Sequence, residues 1–145
     1  MIEISRVGRP SLEVLEAINR LIPQLSSSAK PLDLDELKRL TDDECVNLLV
    51  ALETDTKEII GTLTLVVFPI PSGIRAWIED VIVDSNSRSK GIGKLLVKRA
   101  IEISQLSGAK SVDLTSRPSR VEANSLYLSL GFVLRETNVY RFQGN

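Results

Sequence analysis

Histidine is missing from this chain of 145 residues. With it go the usual base of a Ser/His triad and the commonest protein ligand for zinc, and no metal is implied. A single cysteine, Cys45, leaves no partner for an internal disulfide. Without a base beside it, a thiol nucleophile has no activator, and a buried small residue ahead of an apolar strand is the expected role. No apolar run approaches the roughly 20 residues that span a bilayer, and the opening MIEISRVGRP has no signal core, so a cytoplasmic protein without a membrane partner is expected. Net charge is only −1, from 18 basic and 19 acidic residues, so no global field favours DNA, RNA or an anionic surface. What is present is ordinary for a globular chain: 43% hydrophobic and 26% charged residues, in a length that predicts one domain over 1–145.

Ile2 and Ile4 alternate with polar neighbours as a short strand would, and Leu12, Leu15, Ile18 and Ile22 form a helical stripe after a potential N-cap at Ser11. QLSSSAKP is a polar connector, suited to line an acceptor pocket, and Asp33 with Glu36 spells a capping box for a second helix. Val46 to Glu53 and Ile59 to Phe68 read as a hairpin closed by Thr54–Lys57, and Ile74 to Val83 adds a third strand to a meander. A helix from about Gly91 to Ser107 stops at Gly108, and Ser111 to Thr115 returns as a parallel strand, which makes a β-α-β unit. Ser119 and Glu122 suggest a capping box for a last helix that ends at Gly131, and residues 132–134 and 139–142 read as a closing strand pair.

The junction inside the β-α-β unit carries the chemistry. In RSKGIG, residues Arg88 to Gly93, two glycines one residue apart let backbone amides turn toward one point at the start of a helix. The partial positive charge of the helix N-terminus points into the same nest, so an anion such as a pyrophosphate belongs there. Arg88, Lys90 and Lys94 supply cationic side chains around it. A Walker loop is excluded because no Lys-Ser/Thr follows at its spacing, and a dinucleotide fingerprint because Leu96 stands where its third glycine would be. Glu79 and Asp80 are adjacent carboxylates in the preceding strand, so regular alternation would send them to opposite faces.

The spacing (Arg/Gln)xxGx(Gly/Ala), met here by Arg88, Gly91 and Gly93, together with ANSLYLSLGF downstream, resembles the GCN5-related N-acetyltransferase (GNAT) family from about Val46 to Phe142. The resemblance implies an α/β fold, a mixed and largely antiparallel sheet with a central parallel β-α-β unit and helices on both faces. It implies acetyl-CoA as cosubstrate, with its diphosphate on Arg88, Ser89, Lys90, Gly91, Ile92, Gly93 and Lys94 and its pantetheine arm along the backbone of Val81, Ile82 and Val83. The Ile82 N–H would face the thioester oxygen. Tyr127 would protonate the departing thiolate, Asn124 would touch the cofactor, and Glu79 would be the general base, with Asp80 as second candidate. Trp77 and Arg117 fall on the acceptor side. Ser85, Asn86 and Ser87 replace the proline and aromatic that often precede the loop, and Ser89 stands where glycine is frequent. The expected partner is a primary amine of a small molecule or peptide, and a homodimer through the C-terminal strands is compatible with the pattern. A CoA-binding module without acceptor chemistry is the alternative function.

Overall fold

Thr54–Lys57 closes a hairpin between β2 (Val46–Glu53) and β3 (Glu58–Ile70) in the computed structural model, which describes residues 1–144. Their apolar residues fill the core: Leu49, Leu63 and Leu65 are fully buried, each contributing about 1.5–3 kcal/mol of burial free energy. β3 then turns tightly at Pro71 and Ser72 into β4 (Gly73–Val83). It runs on through Pro69, past Phe68, where the sequence analysis ends the strand. Pro69 is tolerated because it lies at the hairpin end, opposite Ile74 and one step from the last paired residues.

β1 (Ile2–Arg6) pairs with β2, and β5 (Val112–Asp113) pairs in parallel with β4, giving a five-stranded sheet in the order β1-β2-β3-β4-β5. All other pairings are antiparallel. The parallel connection runs through α3 (Ile92–Leu106), whose Ile92, Leu96, Val97 and Ala100 are buried. α1 (Leu12–Leu21) and α2 (Leu34–Asp42) supply the other layer: Ile18 and Leu37 join Val7, Leu48 and Val50 in one apolar cluster. Both helices start as the sequence predicts. Ser11 Oγ accepts from the Val14 amide at 3.2 Å, and the Asp33–Glu36 box closes in both directions at 2.8 and 3.3 Å. No helix among the described residues is long and apolar enough to cross a membrane.

The chain divides into two compact units, one ending at Thr115 and the other beginning at Ser116. The second contains α4 (Val121–Ser129), which stops before Gly131 at φ +95°. Its capping box does not form, because the helix begins one residue late: Arg120 is the N-cap, without a side-chain bond, and Ser119 stands outside. Residues 132–134 and 139–142 form no strands. A strand exists only with a hydrogen-bonded neighbour, and none of the amides beyond Phe132 donates to another backbone group among the described residues.

Candidate active site

β4 is irregular where the sequence looks most regular. Thr62 pairs with Ile82 and Thr64 with Glu79, so two steps on β3 oppose three on β4. The extra residue is a β-bulge, and Asp80 within it takes a left-handed φ of +49°, a conformation that costs an L-residue about 1–2 kcal/mol. The bulge also overturns the expected division of the two carboxylates. Glu79 lies opposite Thr64 and therefore shares its face, while Thr64, Asp80 and Ile82 line one cavity. Both carboxylates thus belong to the same side of the sheet.

That cavity, of about 120 Å³, lies under α1 and α2, where Ile18, Ile22, Leu32, Leu40 and Leu48 complete its wall. Leu32 is held in place by Asn19, whose side chain donates to the Leu32 carbonyl at 3.0 Å and accepts from its amide at 2.8 Å. Asp80 is the ionisable group of the lining. Loss of hydration first, and the Glu79 charge second, raise its pKa above the usual aspartate range. Both carboxylates are exposed as whole residues, but Glu79 is already engaged, since Trp77 Nε1 donates to its Oε1 at 2.7 Å.

On its other edge β4 is largely unpaired. β5 meets it only at Ala76 and Trp77, where the sequence predicts a strand over Ser111 to Thr115, and from Ile78 onward the two diverge. The orientation of the free backbone groups follows from the ladder. Asp84 donates to the Ile60 carbonyl at 2.8 Å, so residues 84 and 82 direct their polar groups toward β3, and Val83 and Val81 direct theirs to the open edge.

The strand leads into the glycine loop. Ser89 and Gly91 both have left-handed φ, +69° and +75°, with Lys90 between them, and Gly91 is the N-cap of α3. The amides of Ile92, Gly93 and Lys94 have no acceptor within the helix and none elsewhere in the backbone of the described residues. Arg88, Lys90 and Lys94 are exposed, and none is in an ion pair among the described residues. Free donors and cations gathered at a helix N-terminus suit an anion. Ser89 adopts the backbone conformation that explains a preference for glycine at its position.

Two positioning features carry no mark in the local sequence reading. Gly61 on β3 faces the start of α3: a methyl group there would lie 3.1 Å from Ile92 Cγ2, 3.2 Å from Leu96 Cδ1 and 3.2 Å from the Ile82 carbonyl. Glycine inside a strand pattern was the available signal. Gln24, just after α1, accepts from the Ser85 amide at 2.9 Å, and Arg20 lies 3.7 Å from Asp84, which ties the turn after β4 to the first helix. No spacing rule connects residues 61 apart.

In the second unit Tyr127 is buried, packed edge-on to Phe132 with ring centroids 5.8 Å apart. Burial raises its pKa, against a smaller opposing effect of Arg120, and no hydrogen bond from another group among the described residues acts on the phenol. Asn124, expected on the cofactor, spends a side-chain N–H on the Arg117 carbonyl at 2.9 Å. Arg117 is exposed. Ser116 Oγ is buried without a hydrogen-bond partner.

Known proteins resemble the chain over most of its length. The family model described as Acetyltransferase (GNAT) family matches residues 13–132, across both units. The uncharacterized N-acetyltransferase YhdJ of Bacillus subtilis is 32% identical over 127 residues, covering 82% of this chain and 86% of its own. Glucosamine 6-phosphate N-acetyltransferase 1 of Oryza sativa subsp. japonica is 29% identical over 141 residues, 95% of this chain and 81% of its own. Among solved structures, a Trypanosoma brucei acetyltransferase superposes with a TM-score of 0.81 at 27% identity, covering 99% of this chain and 100% of its own.

Proposed function

The chain belongs to the acetyltransferase (GNAT) family, and from that premise we propose that it transfers the acetyl group of acetyl-CoA directly to a primary amine of a small molecule or peptide. The observation that carries this reading is the continuous track in the first unit. An open β4 edge presents the backbone of Val81 and Val83, and it runs into the free amides of Ile92, Gly93 and Lys94. The edge suits the amide-bearing pantetheine arm, as an added strand would, and the nest suits the diphosphate. Arg88, Ser89, Lys90 and Gly91 complete the anion-holding loop. The oxyanion role passes from Ile82 to Val81, since Ile82 directs its amide toward β3.

Asp80, rather than Glu79, is our assignment for the general base. It lines the cavity, its raised pKa strengthens it as a base, and Glu79 is occupied by Trp77. The acceptor enters as an ammonium ion and gives a proton to Asp80. The neutral nitrogen attacks the thioester carbon, forming the C–N bond while the oxygen takes the displaced pair and the Val81 N–H holds it. The intermediate loses its second nitrogen proton to solvent as the C–S bond breaks. For Tyr127 we propose the role of proton donor to the departing thiolate, because its phenol stays protonated through neutral pH. The phenolate left behind recovers a proton from solvent, and the products are an amide and free CoA.

The rice relative's name carries a phosphorylated amino sugar. None of the residues lining the cavity here is a cation to meet a phosphate, and most are aliphatic. The acceptor that fits is an amine whose substituent next to the nitrogen is apolar. An amine panel assayed by thiol release tests this, with aliphatic amines and amino sugar phosphates as its two arms. Asp80→Asn should lower kcat/KM by about 10²–10⁴-fold, and Glu79→Gln far less. Acetyl-CoA binding without acetyl release to any amine would make the protein a CoA-binding module instead. Equal losses in the two variants would remove the assignment of the base.

A further inference from the structure

The cavity beside Asp80 has one wall residue that its own element does not hold. The other lining residues stand on helices, on the short turn Ile22–Gln24 or on strands of the sheet, whereas Leu32 lies in the connector between that turn and α2. Leu32 is half-buried and packs against the cluster that includes Ile18 and Leu48. Residues 23–31 before it are all exposed, and among the described residues the hydrogen bonds of 25–31 stay within 22–29. Two bonds from Asn19 on α1 tie Leu32 down: the side-chain N–H donates to the Leu32 carbonyl at 3.0 Å, and Oδ1 accepts from the Leu32 amide at 2.8 Å. One side-chain amide thus satisfies both polar groups of one backbone residue, as a neighbouring strand would. Without it both groups need water, and turning them outward carries the Leu32 side chain along.

On the acetyl-transfer reading, which it narrows, we propose that Asn19 is a positioning residue for specificity: by clamping Leu32 it sets how long an apolar substituent the acceptor amine can carry. The cavity of about 120 Å³ has space for roughly four methylene-sized groups, taking each as about the 30 Å³ of a water. With its ammonium at Asp80, an amine of about four carbons fills that space, and each methylene up to that length adds about fourfold to binding. Longer chains meet the wall. Shifting a helix or strand to admit them would break that element's own hydrogen bonds, and forcing extra methylenes into a packed site is itself unfavourable. Leu32 is different, because only the two Asn19 bonds keep its backbone from moving outward. Removing the Asn19 side chain therefore turns a fixed wall into a movable one.

Straight-chain primary amines from ethylamine to octylamine, assayed by thiol release with the full chain and acetyl-CoA, should show kcat/KM rising about fourfold per methylene up to about butylamine and falling beyond it. In Asn19→Ala the maximum should move to hexylamine or longer, through KM rather than kcat. Leu32→Ala, which trims the wall and leaves Asn19 in place, should move it the same way. The Leu32 amide should be protected from hydrogen exchange in the wild type and exchange freely in Asn19→Ala. Thermal shifts by the same amines without acetyl-CoA separate the clamp from the chemistry. If these shifts break near butylamine and Asn19→Ala moves the break, while no amine releases thiol, the clamp stands and acetyl transfer falls. If thiol is released but there is no break near butylamine, or Asn19→Ala keeps the wild-type maximum, the clamp is overturned and acetyl transfer stands. Amines that neither bind nor react overturn both. Where Asn19→Ala fails to fold, an unmoved maximum in Leu32→Ala or a freely exchanging Leu32 amide in the wild type overturns the clamp.

Discussion

Gly93→Ala separates stability from cofactor binding, and the two effects should have opposite signs. Gly93 is the second residue of α3 and has no left-handed φ, so alanine fits the backbone and should stabilise the free protein by up to about 1 kcal/mol. Its methyl group would stand where we place the diphosphate oxygens, weakening one or more charge-assisted hydrogen bonds of about 1.5–3 kcal/mol, which is roughly 10- to 100-fold in affinity. Differential scanning fluorimetry reads both effects. At acetyl-CoA about 100-fold above Kd, the wild type gains about 2.7 kcal/mol, or roughly 10 °C for a chain of this size. A tenfold weaker variant at the same concentration keeps about 1.4 kcal/mol, or roughly 5 °C. Gly91→Ala is the contrasting control. No atom lies within 4 Å of the added methyl, but φ is +75°, so it should lose about 1–2 kcal/mol before any ligand is added. A Gly93→Ala protein that is shifted by acetyl-CoA as far as the wild type would refute the placement of the diphosphate.

Tyr127→Phe keeps the edge-on contact with Phe132 and removes a hydroxyl that bonds no group among the described residues, so stability should hold within about 0.5 kcal/mol while kcat falls at least tenfold and acetyl-CoA affinity is retained. Gln24→Ala removes the acceptor of the Ser85 amide; it should cost about 0.5–1.5 kcal/mol by chemical denaturation and raise the KM for acetyl-CoA more than it lowers kcat. The raised pKa of Asp80 means that the folded protein holds this proton to higher pH than the unfolded chain does. Its contribution to stability is therefore present below the ordinary aspartate pKa and lost as pH rises through the raised value, and Asp80→Asn should reduce that loss in pH-dependent unfolding curves. The acid limb of the pH–rate profile should shift upward in the same direction.

How far the sequence reached depended on whether a feature was local. The Asp33–Glu36 box, the left-handed Gly91 and the amphipathic run of α3 each fit in a few residues, and each forms as expected. The turn from β4 into α3 and the strand before it were legible for the same reason. The bulge at Asp80 was not, because IEDVIV has neither glycine nor proline and its pattern passes for a regular strand, yet it places both carboxylates on one face. Register across β3 decides that, and register is a property of pairs. The Gln24–Ser85 bond and the close approach of α3 to Gly61 are likewise tertiary. Ser119 and Glu122 had the right spacing for a cap, but the helix started one residue later. The tail reads as strands because its residues suit a sheet, and a sheet needs a neighbour that this chain's sequence does not specify.

The bond from the Trp77 indole to Glu79 has an experimental use. Trp77 is the chain's single tryptophan, so the protein's intrinsic emission reports from one place, on the strand that carries the bulge. A ligand that draws Glu79 away, or changes the hydration around it, would alter the colour and intensity of that emission without any label. Acceptors could then be ranked by titration before turnover is ever detected.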